Sequence, residues 1–280
     1  MTSDAVASGN VCYRHPDRQS YILCQRCGRT ICSECQTQAP VGVHCPECVR
    51  EARASAPRTK PAIVTTMTSK SAPVVTYTLI ALCVIVFAIE LLVPAARQYL
   101  PYYPQLTLVF PWGLVTSMFS HSVAYLPHIL FNMLTLFLFG RVLEPMLGRA
   151  RFLVLYLLSG LGGSVAVMLL QPDGSVIGAS GAIFGLLGGF FVIQRRLGFS
   201  NPTLLIIIAI NLGLGFILPS ISWQAHLGGL VVGALVALIY MRTRHRAQRQ
   251  TQALLTAAVG VGLFVILFGV GFALDRFVVF

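Results

Sequence analysis

The chain has 280 residues, 56% of them hydrophobic and 10% charged, where an average soluble domain carries about 25% charged residues. So few charges cannot cover an aqueous globular surface, which excludes an ordinary soluble enzyme. The 20 Lys+Arg against 9 Asp+Glu give a net charge of +11, but these basic residues fall in short clusters between apolar runs, as in a multi-pass membrane protein and unlike a nucleic-acid patch.

The first 50 residues are polar and hold seven of the eight cysteines, so they do not read as a removable signal peptide. The pattern is Cys12-x2-His15, Cys24-x2-Cys27, Cys32-x2-Cys35 and Cys45-x2-Cys48. A two-residue gap lets one tight turn bring both side chains onto one ion, so four such pairs supply two tetrahedral zinc sites. A disulfide framework is the alternative, and a reducing cytoplasm disfavours it. The order of the pairs resembles the B-box type of cross-braced zinc finger. That resemblance implies that the first and third pairs share one ion and the second and fourth the other. His44, beside Cys45, is an alternative ligand. With every position filled by protein the two ions are expected to be structural, folding a domain too small for a core of its own.

Residues 51–73, rich in Ala, Pro, Arg, Ser and Thr, read as a flexible linker. Seven apolar runs follow, near 74–93, 127–143, 152–170, 179–193, 203–218, 223–240 and 254–274, against about 20 residues needed to cross a bilayer. The fourth is short, which suits a helix shielded from lipid by its neighbours. Cys83, within the first run, reads as a small buried hydrophobe. Basic residues precede the first run and lie between the second and third, fourth and fifth, and sixth and seventh; the alternate loops hold almost none. The positive-inside rule then predicts a cytoplasmic N-terminus and an external C-terminus, and the expected location is the cell (plasma) membrane.

Polar side chains at membrane depth are costly, so each is a functional candidate. His128 and Asn132 open the second run, Ser180 the fourth and His226 the sixth, and all three runs start on the predicted outer side. Ser180 lies in Gly178-Ala179-Ser180-Gly181, where glycines on both sides leave its hydroxyl uncovered. Its N–H, at a helix start, has no intrahelical partner and can face a developing oxyanion. The plainer reading is a small-residue helix contact, since Gly181-x3-Gly185 and Gly229-x3-Gly233 are also packing motifs. Those two faces would bring His226 beside Ser180 as base and nucleophile. His128 and Asn132, four residues apart, share a helix face and can both donate to an oxyanion. Phe184, one turn past Ser180, is placed to support the His226 ring, or simply to pack. The plainer reading of the His128–Asn132 pair is bundle stabilisation, which also fits His121, a further candidate in the preceding loop; Glu144 reads as an anchor on the cytoplasmic side, and Glu90 has no assigned role. Asn211 is a further polar outlier.

Elimination narrows the chemistry. After the linker the only carboxylates are Glu90, Glu144, Asp173 and Asp275, and no Lys follows Lys70. A Ser–Lys pair and an aspartyl dyad are excluded, His-Glu-x2-His is absent, and a serine–histidine dyad without a third acid is left.

These residues resemble the rhomboid intramembrane serine proteases. The likeness rests on Gly178-Ala179-Ser180-Gly181, Ala225-His226-Leu227-Gly228-Gly229-x3-Gly233 and His128-Ile129-Leu130-Phe131-Asn132, each in its own span. It implies an all-α polytopic membrane protein with a six-helix core over residues 74–241 and an added seventh helix within 242–280; the zinc-binding head at 1–50, read from its cysteine pattern, lies outside the resemblance. It also implies that Ser180 is the nucleophile and His226 the base, with His128, Asn132, Gly178 and Gly181 around the oxyanion. The expected partners are transmembrane protein substrates and the bilayer, with no nucleic acid and no catalytic cofactor; the head's partner is not implied. The family often has Trp-Arg in the first outer loop, whereas Trp112 here precedes Gly113. A non-catalytic relative that binds transmembrane clients, and a transporter with a polar pathway, are the rival readings.

Overall fold

A computed structural model of the chain describes residues 10–39, 41–55, 72–199, 202–218 and 221–275. It divides into two compact units, Met1–Thr65 and Thr66–Phe280.

The first unit is built from pieces too short to be stable alone. Strands β1 (Val11–Cys12) and β2 (His15–Gln19) form one antiparallel ribbon, and β3 (Thr37–Gln38) and β4 (Val43–His44) another. Helix α1 (Pro46–Ser55) follows, opening on a proline that costs it no hydrogen bond. The buried cluster holding these pieces together is Ile31 and six cysteines. Sulfur, and not hydrocarbon, is the centre of this unit. Helix α1 runs five residues past Arg50, so the segment expected to be linker from residue 51 is helical at its start: Ser55 Oγ closes the last turn on the Glu51 carbonyl at 2.8 Å. Residues 56–71 of the expected linker lie outside the described residues.

The second unit is helical. Its long helices are α2 (Val74–Leu92), α3 (Leu126–Leu147), α4 (Arg149–Leu170), α5 (Ser180–Arg196), α6 (Pro202–Ile217), α7 (Trp223–Arg242) and α8 (Arg249–Asp275). Five of them, all but α5 and α6, are long and apolar enough to cross a membrane. Helix α5 has 17 residues and α6 has 16, which at 1.5 Å per residue is about 24–26 Å, short of the roughly 30 Å hydrocarbon core. For α5 the shortfall has a physical reason. Ten of its residues are buried, so neighbouring helices, and not lipid, surround most of its length.

Three helices form the centre. Helices α4, α5 and α7 pack on one another most extensively, and small residues make this possible. A Cβ on Gly229 would collide with the Gly181 carbonyl, and one on Gly233 with the Gly185 backbone. Helices α5 and α7 therefore touch backbone to backbone. On α4, Gly163 lies against the Ala225 carbonyl, where a Cβ would approach to 2.9 Å. Such close approach is how helices associate where lipid offers no hydrophobic drive. The periphery is more exposed: the apolar window of α4 is 61% buried, those of α2 and α8 only 22% and 17%. The added helix α8 packs on α4 and on the turn at 104–106, with Gly271 against Thr107 and Gly260 against Leu158.

Glu144 fixes α2 to α3. Its carboxylate accepts the Val75 N–H at 2.9 Å, the Thr76 N–H at 2.7 Å and the Thr76 hydroxyl at 2.8 Å. The expected anchor is thus a helix cap delivered from another helix.

A methyl group at the α5–α7 contact must force these helices apart. Gly233→Ala is expected to lower stability by about 1–3 kcal/mol, the usual cost of overpacking, measured as thermal unfolding in detergent. Gly262→Ala on α8, where a Cβ would meet nothing within 4 Å, is expected to leave it unchanged.

Candidate active site

The site gathers where α3, α5 and α7 begin. Between α2 and α3 the chain makes two one-turn helices, Ala96–Tyr99 and Gly113–Thr116. This loop is tied to the turn ahead of α5. Tyr102 and Val176 exchange both backbone hydrogen bonds, at 3.0 and 2.9 Å, and the Gly178 N–H donates to the Ser117 carbonyl at 2.8 Å. Trp112 donates its indole N–H to the Tyr99 carbonyl at 2.9 Å and packs on Phe110, with ring centroids 5.2 Å apart. Gly113 sits so close to the Pro101 carbonyl that a Cβ would lie 2.9 Å from it. The loop is closed without an arginine at 113.

Gly178 has φ +110, a conformation L side chains rarely adopt. Space forbids a side chain as well: a Cβ there would stand 2.6 Å from His128 Nε2 and 3.8 Å from Ser180 Oγ. The imidazole nitrogen and the serine hydroxyl thus border the same small volume. The Ser122 N–H points at His128 Nδ1 at 3.4 Å, which makes Nδ1 the acceptor and leaves the proton on Nε2, facing that volume.

Ser180 is the first residue of α5, and no side chain caps this helix. Its leading N–H groups are therefore available to a ligand. Helix α7 differs. Ser222 caps it by accepting the Ala225 N–H at 3.3 Å, and His226 follows in the first turn. The His226 ring is 6% exposed and lies flat on Phe184, with centroids 4.1 Å apart and planes at 10°. Phe184 comes from α5, so the helix that starts with Ser180 also carries the surface against which His226 is fixed. Gly181 meets the Ala225 carbonyl next to it, where a Cβ would approach to 3.3 Å.

His226 Nδ1 is buried and has no hydrogen-bond partner. Three carboxylates of the helical unit, Glu90, Glu144 and Asp173, are committed elsewhere. Glu90 accepts from Ser120 Oγ and the His121 N–H, Glu144 from α2, and Asp173 from Gln105 Nε2 at 2.6 Å. Among the described residues no acid orients the imidazole, and stacking on Phe184 does.

Other candidates stand differently from expectation. Asn132 is 7% exposed, but its amide donates to the His128 carbonyl of its own helix at 2.7 Å. Asn211 faces outward on α6 and donates to the Ile207 carbonyl at 2.8 Å. His121 is 2% exposed and lies 5.1 Å from the His128 ring, with its Nε2 3.5 Å from the Ala179 N–H. This histidine is more than a loop residue, because it reaches the backbone adjoining Ser180. Its burial, in a loop without periodicity, left no trace in the sequence.

In the first unit the ligands form two groups, Cys12, His15, Cys32 and Cys35, and Cys24, Cys27, Cys45 and Cys48, with the ligand atoms of each group within 4.8 Å of one another. His15 Nδ1 lies 3.4, 3.5 and 3.8 Å from the sulfurs of Cys32, Cys35 and Cys12, and Cys27 Sγ lies 3.7 Å from Cys45 Sγ. A tetrahedron with metal–sulfur bonds of about 2.3 Å has edges of about 3.7 Å, so both groups fit a tetrahedral ion. His44 belongs to neither; it pairs with Thr37 in the second ribbon. No disulfide joins the cysteines. Burial pushes the Cys12 and Cys24 thiols up, but backbone N–H groups around each, led by Cys32 for Cys12 and Cys45 for Cys24, outweigh it and bring both down to about 6. Thiolates, the ligand form, are favoured at these two positions, whereas burial and the neighbouring cysteines push Cys35 up to about 11 and raise Cys27 and Cys48 as well.

A Rhomboid domain profile matches residues 110–243, which include Ser180, His226, His128 and Asn132. The chain is 38% identical over 141 residues to the putative rhomboid protease YdcA of Bacillus subtilis, covering 48% of this chain and 70% of that protein. It is 37% identical over 158 residues to the rhomboid protease GluP of the same bacterium, covering 54% of this chain and 31% of GluP. It is 38% identical over 141 residues to RHOMBOID-like protein 4 of Arabidopsis thaliana, covering 48% of this chain and 35% of the plant protein. The chain thus spans only about a third of the length of GluP and the plant relative. Taken with the helical bundle and its glycine-packed centre, the match over most of YdcA places this multi-pass membrane chain in the rhomboid family.

Proposed function

We propose that the protein is an intramembrane serine endopeptidase that cuts transmembrane segments of other proteins with a Ser180–His226 dyad. One observation carries this reading: His226 is held flat on Phe184, one turn past Ser180 on the same helix, with its Nδ1 unpartnered while Glu90, Glu144 and Asp173 are engaged elsewhere. A histidine that only glued helices together would spend its ring nitrogens on hydrogen bonds. His226 Nε2 then takes the Ser180 proton as Oγ adds to the scissile carbonyl. The oxygen of the tetrahedral intermediate receives hydrogen bonds from His128 Nε2–H and the Ser180 N–H, and the second amide hydrogen of Asn132 is at hand. Collapse forms the acyl ester, His226 passes its proton to the departing amine, and water reverses the sequence to free Ser180. Gly178 and Gly181 keep this volume open.

Backbone inside a lipid-embedded helix is shielded by its own hydrogen bonds. Substrates are therefore expected to carry small or helix-destabilising residues where they are cut. The charge distribution supports a plasma-membrane topology with the head and the basic loops cytoplasmic, which places the dyad near the outer face. The division follows as a head from residue 1 through the end of α1 at Ser55, a linker up to residue 73, a six-helix core at 74–241 and an appended helix at 242–280. The two ligand groups of the head are assigned to structural zinc: thiolate-rich tetrahedral sets suit that ion, and the ligand atoms leave no position open for chemistry.

Three measurements test this reading. A fluorophosphonate probe is expected to label the parent protein, and Ser180→Ala and His226→Ala are expected to lose labelling and cleavage of a model transmembrane substrate, by about 10³-fold or more. Equal cleavage by Ser180→Ala would sink the protease assignment. Purified protein is expected to hold two zinc ions per chain by elemental analysis, and Cys45→Ser to hold one. Chelation is expected to unfold the head while leaving the helical signal of the bundle intact, because sulfur and metal supply most of the head's core.

A further inference from the structure

Glu90 is a carboxylate near the end of the first membrane helix and is 2% exposed. Groups of this kind are retained in membranes when they have a task. Its two oxygens are both engaged on one short stretch of the following loop: Oε1 accepts the Ser120 hydroxyl, and Oε2 accepts the His121 N–H at 3.0 Å. From there the connection runs on. The His121 Nδ1 lies 3.0 Å from the Phe119 carbonyl, which fixes the proton on Nδ1, so Nε2 is the acceptor for the Ala179 N–H at 3.5 Å. Ala179 is the residue before Ser180. Glu90 also borders a cavity of about 300 Å³ shared with Arg97, Ser120, His121, Ser122 and Ile177. The Arg97 Nε donates to the Glu90 carbonyl at 2.7 Å, so the end of α2 is itself held in place.

We propose that Glu90 is a positioning residue for the active site, setting through Ser120 and His121 the backbone turn that presents Ser180. It touches no reacting atom. Two hydrogen bonds orient the 120–121 backbone, the backbone orients the His121 ring, and the ring receives the N–H that immediately precedes the nucleophile. The catalytic part of this proposal rests on the serine-protease reading; the structural part does not. Hydrogen bonding, and not charge alone, is what the arrangement uses. A glutamine at 90 can accept the His121 N–H and donate to the Ser120 hydroxyl, which is free to rotate, whereas a leucine can do neither.

The test compares the full-length parent with Glu90→Gln, Glu90→Leu and Ser120→Ala in detergent or liposomes. Amide hydrogen exchange over residues 176–181, the rate of fluorophosphonate labelling, and kcat and KM on a model transmembrane substrate are read on each. Glu90→Leu is expected to exchange faster over 176–181 and to lose about tenfold in labelling rate and kcat, with KM unchanged, as for a nucleophile displaced by a fraction of an ångström. Ser120→Ala, which keeps the Glu90–His121 bond, is expected to fall between parent and Glu90→Leu and covers the case in which the leucine variant does not fold. Glu90→Gln is expected to match the parent. Parent-like exchange and rates in Glu90→Leu and Ser120→Ala would overturn the proposal. So would a Glu90→Gln variant as impaired as Glu90→Leu, since that outcome assigns the effect to charge. A parent protein that neither labels nor cleaves would defeat the protease reading, while the exchange data would still decide whether Glu90 holds the turn.

Discussion

The rest of the bundle depends on the contact between the backbones of α5 and α7. Each helix gives up side chains along one stripe, Gly181 and Gly185 on one and Gly229 and Gly233 on the other, and the carbonyls of α5 fill the space where methyl groups of α7 would stand. In lipid there is no water to expel from between two helices, so close dispersion contact must replace the hydrophobic effect as the cohesive term. That contact also sets the offset between the helices. Ala225 is brought against Gly181, and His226 follows Ala225 just as Ser180 precedes Gly181. One packing geometry thus decides both stability and the neighbourhood of the hydroxyl and the imidazole.

Around this pair the site is organised by backbone more than by acids. An aqueous serine hydrolase orients its histidine with a buried carboxylate. Here the ring lies flat on Phe184, and the carboxylates within the bundle serve the scaffold: Glu144 ties α2 to α3, and Glu90 ties α2 to the loop ahead of α3. An aromatic face holds a neutral ring without placing another charge in a medium of low dielectric, where an unpaired ion is expensive. Separating the tasks keeps both charges near the ends of the helices.

Much of this was legible in the sequence, for definable reasons. Apolar runs of bilayer length declare themselves by composition, and the two-residue spacing of the cysteine pairs limits which geometry they can take. Ser180 and His226 stood out because so few polar groups occur in the spans. Contacts between distant segments were the illegible part. Glu90 meets His121 across 31 residues and Glu144 meets Thr76 across 68, and neither partner belongs to a periodic pattern. The position of Asn132 on the His128 face was readable, but the bond of its amide to the carbonyl one turn back was not. The end of α1 was obscured because Glu51 through Ser55 are as polar as a linker, yet continue a helix nucleated at Pro46.

The cap that Glu144 places on α2 bears on the order of assembly. Pro73 precedes that helix and offers no side-chain acceptor, so the amides of Val75 and Thr76 are satisfied only by a residue synthesised almost 70 positions later. Exposed amides in hydrocarbon are costly, so the start of α2 has its full set of hydrogen bonds only where the end of α3 lies beside it. Settling of the two segments then becomes a joint event, completed when the carboxylate arrives. Helix α2 comes before α3 in the chain, but its first turn is completed by α3.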